Sequence, residues 1–310
     1  LRDSPSLQEL LEVQEHFSLP SPALVEKDWY VVRALAAIAS ADIAPFRLVF
    51  GGGTALSRAH GLIRRMSEDI DLKIDADVAP TRAQLRALRE SITAALQAAG
   101  FEFDPANKAH RDSANESRYT IYRLPYPQIT SGEGVLRPEI QIETAFWPVR
   151  LQAEFLPVAS FIAQAYGSPA EVSSVSCIAI AETAAEKFVA LTRRAGAELA
   201  NAGGPRDATL VRHIYDLYML RDHFVMADVV SLSKDIMVSD AQDFGHQFPA
   251  YRDNPIAETI RAIEGVIADS TFAERYKAFL RDMVYGEKPA FAEAAATIVD
   301  FSRQLSGSNT

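Results

Sequence analysis

The spacing of apolar residues changes character along this 310-residue chain. Residues 6–17 read as a first helix. Behind Ser21-Pro22, a cap and first-turn pair, Leu24, Trp29, Val32, Leu35 and Ile38 recur at roughly helical spacing and predict a helix over 22–39. A short apolar run over 46–50 predicts a strand, residues 54–60 a helix stopped by Gly61, and the alternating run 69–74 a second strand. Over 81–99, Leu85, Leu88, Ile92 and Leu96 form an apolar stripe, with Thr81 placed to cap the helix and Gly100 to end it. Residues 101–103, 119–124 and 135–144 then alternate or are rich in strand formers, and the polar stretch 107–117 reads as a loop. After Pro157 helical periods dominate, with candidates over 178–195, 208–222, 228–238, 255–268, 271–284 and 289–305. The run Asn201-Ala202-Gly203-Gly204-Pro205 separates the first two, and the last five residues read as a frayed tail.

Strands separated by helices, followed by strands in succession, predict a mixed sheet. The expected fold class is therefore α+β: a mixed sheet with helices over residues 1–155, then an all-helical domain over 156–310. No internal repeat or low-complexity segment is evident.

The densest chemistry lies in two linked segments. Val49-Phe50-Gly51-Gly52-Gly53-Thr54-Ala55-Leu56-Ser57 runs from a strand through glycines into a helix. Such a turn lets phosphate oxygens approach backbone N–H groups where the helix begins. Arg65-Met66-Ser67-Glu68-Asp69-Ile70-Asp71-Leu72-Lys73 follows. Residues i and i+2 of a strand share a face, so Asp69 and Asp71 present two carboxylates together while Ile70 and Leu72 face the core. Paired carboxylates suit a magnesium ion carrying a nucleoside triphosphate. A pair of solvated acids on an edge strand accounts for Asp-x-Asp equally simply. Against that stand the poor strand propensity of aspartate and the apolar opposite face.

A third acid would come from Glu139-Ile140-Gln141-Ile142-Glu143, where Glu139 or Glu143 reaches the same metals if this strand lies beside the first. Plain amphipathic alternation explains that segment as well. Lys187, beside the apolar stripe of a small-residue helix, suits a phosphate, or lays its stem along an interface. Arg212 and Asp216 stand four residues apart, a pairing that needs no function.

Composition narrows the picture. Hydrophobic content of 48% supports a sizeable core, and no apolar run reaches transmembrane length. The first residues lack a basic stretch leading into an apolar core, so the cytosol is the expected compartment. Cys177, the single cysteine, rules out an internal disulfide or a cysteine-built zinc site and reads as a small buried residue. The formal charge of −10 argues against a surface that coats nucleic acid non-specifically. It is concentrated at the end: from Asp222 onward there are 8 Lys/Arg against 14 Asp/Glu. Arg58, Arg64, Arg65, Lys73, Arg193, Arg194, Arg206 and Arg212 are the cations available for a local basic groove, unless they are ordinary surface charges.

Taken in order, these segments resemble the AbiEii/MenT group of nucleotidyltransferase-like toxins, within the DNA-polymerase-β-type nucleotidyltransferase superfamily. The resemblance rests on Glu26-Lys27-Asp28-Trp29, Gly52-Gly53-Thr54-Ala55-Leu56-Ser57, Ser67-Glu68-Asp69-Ile70-Asp71-Leu72, Arg137-Pro138-Glu139-Ile140-Gln141-Ile142-Glu143, Ala185-Glu186-Lys187 and Arg212-His213-Ile214-Tyr215-Asp216-Leu217. It fades beyond Asp222. The resemblance implies a nucleotidyltransferase-type sheet and transfer of a nucleotide from an NTP, dependent on Mg2+ or alternatively Mn2+. It implies Asp69, Asp71 and Glu143 as metal ligands, and Gly52, Gly53, Thr54, Ser57 and Ser67 around the nucleotide. Lys187 and Asp216 become active-site residues by the same carry-over, Lys187 on the triphosphate, so that the helical half completes the nucleotide cleft. A tRNA 3′ end as acceptor, blocked translation, phage defence and a cognate AbiEi-type antitoxin are further implications; no membrane role follows.

Two other readings stand beside it. One keeps the fold but changes the reaction, to nucleotide binding or to modification of a protein or small molecule, which the acidic charge favours because tRNA recognition usually uses a basic surface. The other is a non-catalytic interaction module.

Overall fold

The structure is a computed structural model that describes residues 4–130, 136–200, 207, 209–246 and 248–307. Residue 135, the 201–205 break, Arg206, residue 208 and the last three residues, each named above, lie outside these. The chain divides into two units, Leu1–Ile178 and Ala179–Thr310.

In the first unit, α1 (Leu7–Phe17) begins in a capping box between Ser6 and Glu9. α2 (Pro22–Ala39) starts at a Ser21 cap with proline in its first turn, and every residue from Ala23 to Val32 is buried. β1 (Arg47–Gly51) runs directly into the short α3 (Gly52–Arg58), and β2 (Asp69–Asp75) returns antiparallel to β1. α4 (Arg82–Ala98) has a Thr81–Gln84 capping box, and Gly100, at φ +89°, follows its end. β3 (Arg111–Ala114), β4 (Tyr119–Pro125), β5 (Glu139–Ala145), β6 (Glu154–Val158) and β7 (Val172–Cys177) complete the sheet, with α5 (Phe161–Ala165) between the last two.

The order is β3-β4-β5-β2-β1-β7-β6. β2 pairs parallel with β5 and β1 with β7, while the remaining neighbours are antiparallel. The sheet is mixed, as the order of elements predicts. Ile70, Leu72, Ile140, Ile142, Tyr122 and Leu124 are all buried, and α2 packs against both β2 and β5.

Three details depart from the sequence reading. Residues 101–103 form no strand: they lie in a loop whose Phe101 and Phe103 rings are buried against Tyr30 and Tyr122, and their alternation reflects two anchored rings without a pairing partner strand. The polar stretch 107–117 is not all loop, since it contains β3 and a 3-10 turn. β3 is an edge strand wet on both faces, so it carries no apolar alternation to reveal it. The region after Pro157 is not helical from its start. The sheet continues through β6 and β7, and residue 155, the expected boundary, falls inside β6. Exposed Phe155 and Pro157 make β6 an atypical edge strand, and the serines of β7 mask its buried Val172, Val175 and Cys177. Cys177 is fully buried as expected, and burial pushes its thiol up to about 12, which keeps it an unreactive packing group.

The second unit is helical among its described residues. It comprises α6 (Ile180–Leu199), α7 (Arg212–Leu220), α8 (Met226–Phe244), α9 (Pro249–Asp253), α10 (Pro255–Ala268), α11 (Ser270–Met283) and α12 (Phe291–Leu305). α6 is its spine and packs on α7, α8 and α10. Phe188 of α6 stacks on Phe301 of α12 with ring centroids 4.3 Å apart.

Because Ile142 is completely buried in the central parallel pair, Ile142→Ala is expected to lower stability by about 2–5 kcal/mol and Ile142→Val by about 0.5–1.5 kcal/mol, read from urea denaturation.

Candidate active site

Strand alternation places the acids. Along β2, Ile70 and Leu72 are buried while Asp69 and Asp71 are half-buried on the other face. The parallel register sets Asp71 opposite Glu143 and Asp69 opposite Gln141, so the third acid does lie on the neighbouring strand. Glu143 accepts a hydrogen bond from Gln141 Nε2 at 2.7 Å, and together with burial it raises the pKa of the Tyr119 hydroxyl. Glu139, the other candidate, lies four residues along β5 from the position opposite Asp71.

The glycine turn is built against these acids. Gly51 pairs with Asp71 across β1 and β2, which brings the start of α3 beside the carboxylate. Gly52 has φ +69°, and a Cβ added there would meet Asp71 Oδ2 at 1.8 Å. At Gly53 a Cβ would meet Arg65 Nη2 at 2.5 Å and Ser67 Oγ at 2.7 Å. Thr54 Oγ1 donates to the Asp69 carbonyl oxygen and lies 3.0 Å from Ser67 Oγ, tying α3 to the start of β2. Ser57 instead turns its hydroxyl back onto its own helix, donating to the Thr54 carbonyl at 3.1 Å.

Arg137, just before β5, grips Asp69 with both arms of its guanidinium: Nη1 to Oδ1 at 2.8 Å and Nη2 to Oδ2 at 3.1 Å. Its backbone N–H donates to Glu68 Oε2 at 3.1 Å. Lys27 of α2, fully buried, completes the arrangement. Its ammonium meets Glu68 Oε2 at 3.1 Å and donates to the carbonyls of Arg137 at 2.7 Å and Glu139 at 2.6 Å. Burial pushes the Lys27 pKa down, and the Glu68 carboxylate opposes that shift.

The flanking residues of α2 act similarly. Glu26 accepts from the backbone N–H groups of Ile129, at 2.7 Å, and Thr130, at 3.1 Å, and from the Thr130 hydroxyl. Asp28 accepts from Phe161 N at 2.7 Å and pairs with Arg58 Nε at 2.7 Å; burial raises its pKa and Arg58 opposes that. Sequence reasoning quoted Glu26, Lys27, Asp28 and Arg137 without giving them roles. The available signal was three consecutive charges in a helix apolar on every side, a pattern that buried, paired charges produce.

Several cations offered above for a basic groove are otherwise occupied. Arg58 is held by Asp28 and lies over the Phe161 ring, 3.5 Å from its centroid. Arg65 is buried and donates to the Met66 carbonyl at 2.8 Å, and Lys73 donates to the Pro148 carbonyl at 3.0 Å. Arg193 pairs with Asp240 at 2.7 Å, and Arg194 pairs with Asp207. Arg64 is exposed.

Within the helical unit, Lys187 Nζ and Asp216 Oδ2 form a buried pair at 2.8 Å, joining α6 to α7. Asp216, which its spacing also offers to Arg212, thus pairs with Lys187. His213, one turn earlier, is also buried, and burial first, then Lys187 and Arg212, hold its pKa well below the ordinary value.

The family described as nucleotidyl transferase AbiEii toxin, type IV TA system, matches residues 33–297. This chain belongs to the AbiEii family of nucleotidyltransferase toxins. It is a nucleotidyltransferase of a toxin–antitoxin system. No curated protein matches the sequence. Among solved structures the chain is similar to MenT4, a nucleotidyltransferase toxin from Mycobacterium tuberculosis H37Rv, at 18% identity and a TM-score of 0.54, over 97% of this chain and 90% of that one. At that identity the likeness speaks for the fold.

A divalent cation is the general companion of AbiEii chemistry. Among the described residues no three His, Cys, Asp or Glu side chains form a group that would enclose an ion. Two adjacent carboxylates do suit a hard cation that takes one or two protein oxygens and completes its shell with phosphate and water. The lack of a side chain at Gly52 fits the same purpose, because it lets the Asp71 carboxylate lie against the turn that begins α3.

That close approach yields a paired prediction. Gly52→Ala should abolish nucleotidyl transfer, because the new methyl displaces the Asp71 carboxylate. Gly61→Ala shares a positive φ, +68°, but meets nothing within 4 Å, so it should cost only about 1–2 kcal/mol of stability and keep transfer, as judged by thermal melting and label incorporation.

Proposed function

We propose that this AbiEii-family protein transfers a nucleotide from an NTP to the 3′ end of a tRNA, so blocking translation. A cognate AbiEi-type antitoxin would hold it in check in the cytosol. Mg2+, held by Asp69 and Asp71 with Glu143 as the neighbouring third acid, would supply Lewis-acid activation of the α-phosphorus and charge neutralisation on the triphosphate. The observation that carries this reading is the adjacency of the Asp69–Asp71 pair to the glycine turn, where the missing side chain of Gly52 lets the Asp71 carboxylate lie directly against the start of α3.

The protein's own groups have separable tasks. Backbone N–H groups at Gly53 and Thr54 receive terminal phosphate oxygens, with the Ser67 hydroxyl beside them. Ser57, bonded to its own helix, reinforces that turn. The family resemblance assigns Lys187 to phosphate and Asp216 to positioning its ammonium, and the helical unit holds these two side chains as a pair at 2.8 Å. The acceptor hydroxyl attacks the α-phosphorus in line, the bond to the β-phosphate bridging oxygen breaks, and pyrophosphate leaves.

A second reading has its own support. With Arg58, Arg65 and Lys73 engaged internally and a net charge of −10, an acceptor that is a protein or small molecule suits the surface as well as tRNA does.

One experiment separates these. The protein is incubated with Mg2+, total tRNA and each of four labelled NTPs. Label should enter the tRNA with one NTP and fall as salt rises, and Asp69→Ala or Asp71→Ala should abolish incorporation. Normal incorporation by either variant refutes the metal assignment; label in protein or small molecules supports the second reading.

A further inference from the structure

The geometry points to Arg137 as a residue that changes partner during the nucleotide cycle: we propose that it is the counter-ion of Asp69 before the metal arrives and a phosphate-binding group afterwards. This rests on the nucleotidyl-transfer reading above.

Both oxygens of Asp69 are taken by Arg137, at 2.8 and 3.1 Å. A cation that uses Asp69 has to share or displace that fork. A guanidinium does not deprotonate in proteins, so it cannot yield by losing its charge. It has to move. Before a cation binds, Asp69 and Asp71 repel each other, and Arg137 offsets that repulsion. Once a divalent cation sits on the pair, a guanidinium beside it is repelled in turn. The incoming triphosphate brings several negative charges to the same place, in a shape that a guanidinium recognises with two parallel hydrogen bonds.

The local structure permits such a swing. The main chain of Arg137 is pinned: its N–H is held by Glu68 at 3.1 Å and its carbonyl by Lys27 at 2.7 Å. Its side chain is 38% exposed, against 15% for Asp69, and its other ionic contact, Nε to Glu68 Oε1, is long at 3.8 Å. A fixed pivot with a mobile arm is the consequence. A purely structural clamp would have no need of an exposed arm, and its removal would harm metal and nucleotide binding alike.

Exchange predicts opposite signs for the two affinities. Mn2+ alone is titrated into the full chain by the loss of its free paramagnetic resonance signal, and ATP, CTP, GTP and UTP are each titrated calorimetrically with Mn2+ present. Arg137→Ala should bind Mn2+ alone about tenfold more tightly and the preferred NTP about tenfold more weakly. Arg137→Lys, which keeps the charge but loses the fork, should show the same signs with smaller shifts; it carries the test if the alanine variant melts early. Both affinities falling together, or neither moving, overturns the exchange. Asp69→Asn is the control for the underlying reading. Loss of Mn2+ binding in that variant leaves the metal assignment standing whatever Arg137 does, whereas unchanged Mn2+ binding removes both.

Discussion

A buried ammonium has to be charge-paired and hydrogen-bonded, or it destabilises its surroundings by several kcal/mol. Lys27 meets that demand with one carboxylate, Glu68, and two main-chain carbonyls, of residues 137 and 139. Those partners come from the residue before β2 and from the entrance to β5. The ammonium thus clips together α2 and the starts of the two central parallel strands. Were it absent, Glu68 would lose its buried cation and Arg137 one of its two backbone anchors. The position of Asp69, its grip by Arg137 and the register that sets Asp71 against Glu143 all depend on this contact.

Two backbone constraints finish the arrangement. Period-2 alternation turns Asp69 and Asp71 to one face while Ile70 and Leu72 anchor the other in the core. Antiparallel pairing of β1 with β2 then delivers the glycine turn to the same end, Gly51 opposite Asp71. The positive φ of Gly52 and its approach to Asp71 mean that the turn and the carboxylate are built as one object. The Lys187–Asp216 pair has comparable internal order in the helical unit, where both charges are removed from water and each is compensated by the other.

What could be read from sequence follows from how each residue is constrained. The 69–74 strand is legible because one face is buried and the other is not, and the helices at 22–39 and 81–99 because their caps and stripes agree. β3 is an edge strand with no buried residue and β6 one with only Val158 buried, so alternation is weak or missing in both, and the serines of β7 dilute its signal. At the site the acids and glycines are legible because their chemistry is local. Lys27, Glu68 and Arg137 act through partners about 40 to 110 residues away, and Lys27 alone reaches Arg137 across a sequence separation of 110. No periodicity encodes such a separation. Arg58 and Lys73 misled for the same reason, since a cation looks free in sequence until its carboxylate or carbonyl partner is placed.

The central claim is that Asp69 and Asp71, braced through Glu68 and Arg137, hold the metal that carries the NTP. A crystal structure of the full chain with Mn2+ and a non-hydrolysable NTP, with anomalous scattering used to place the ion, tests it most directly. The account predicts an anomalous peak coordinated by Asp69 and Asp71 and by phosphate oxygens, with the Arg137 guanidinium turned from Asp69 to the phosphates. An ion bound away from both aspartates would contradict it.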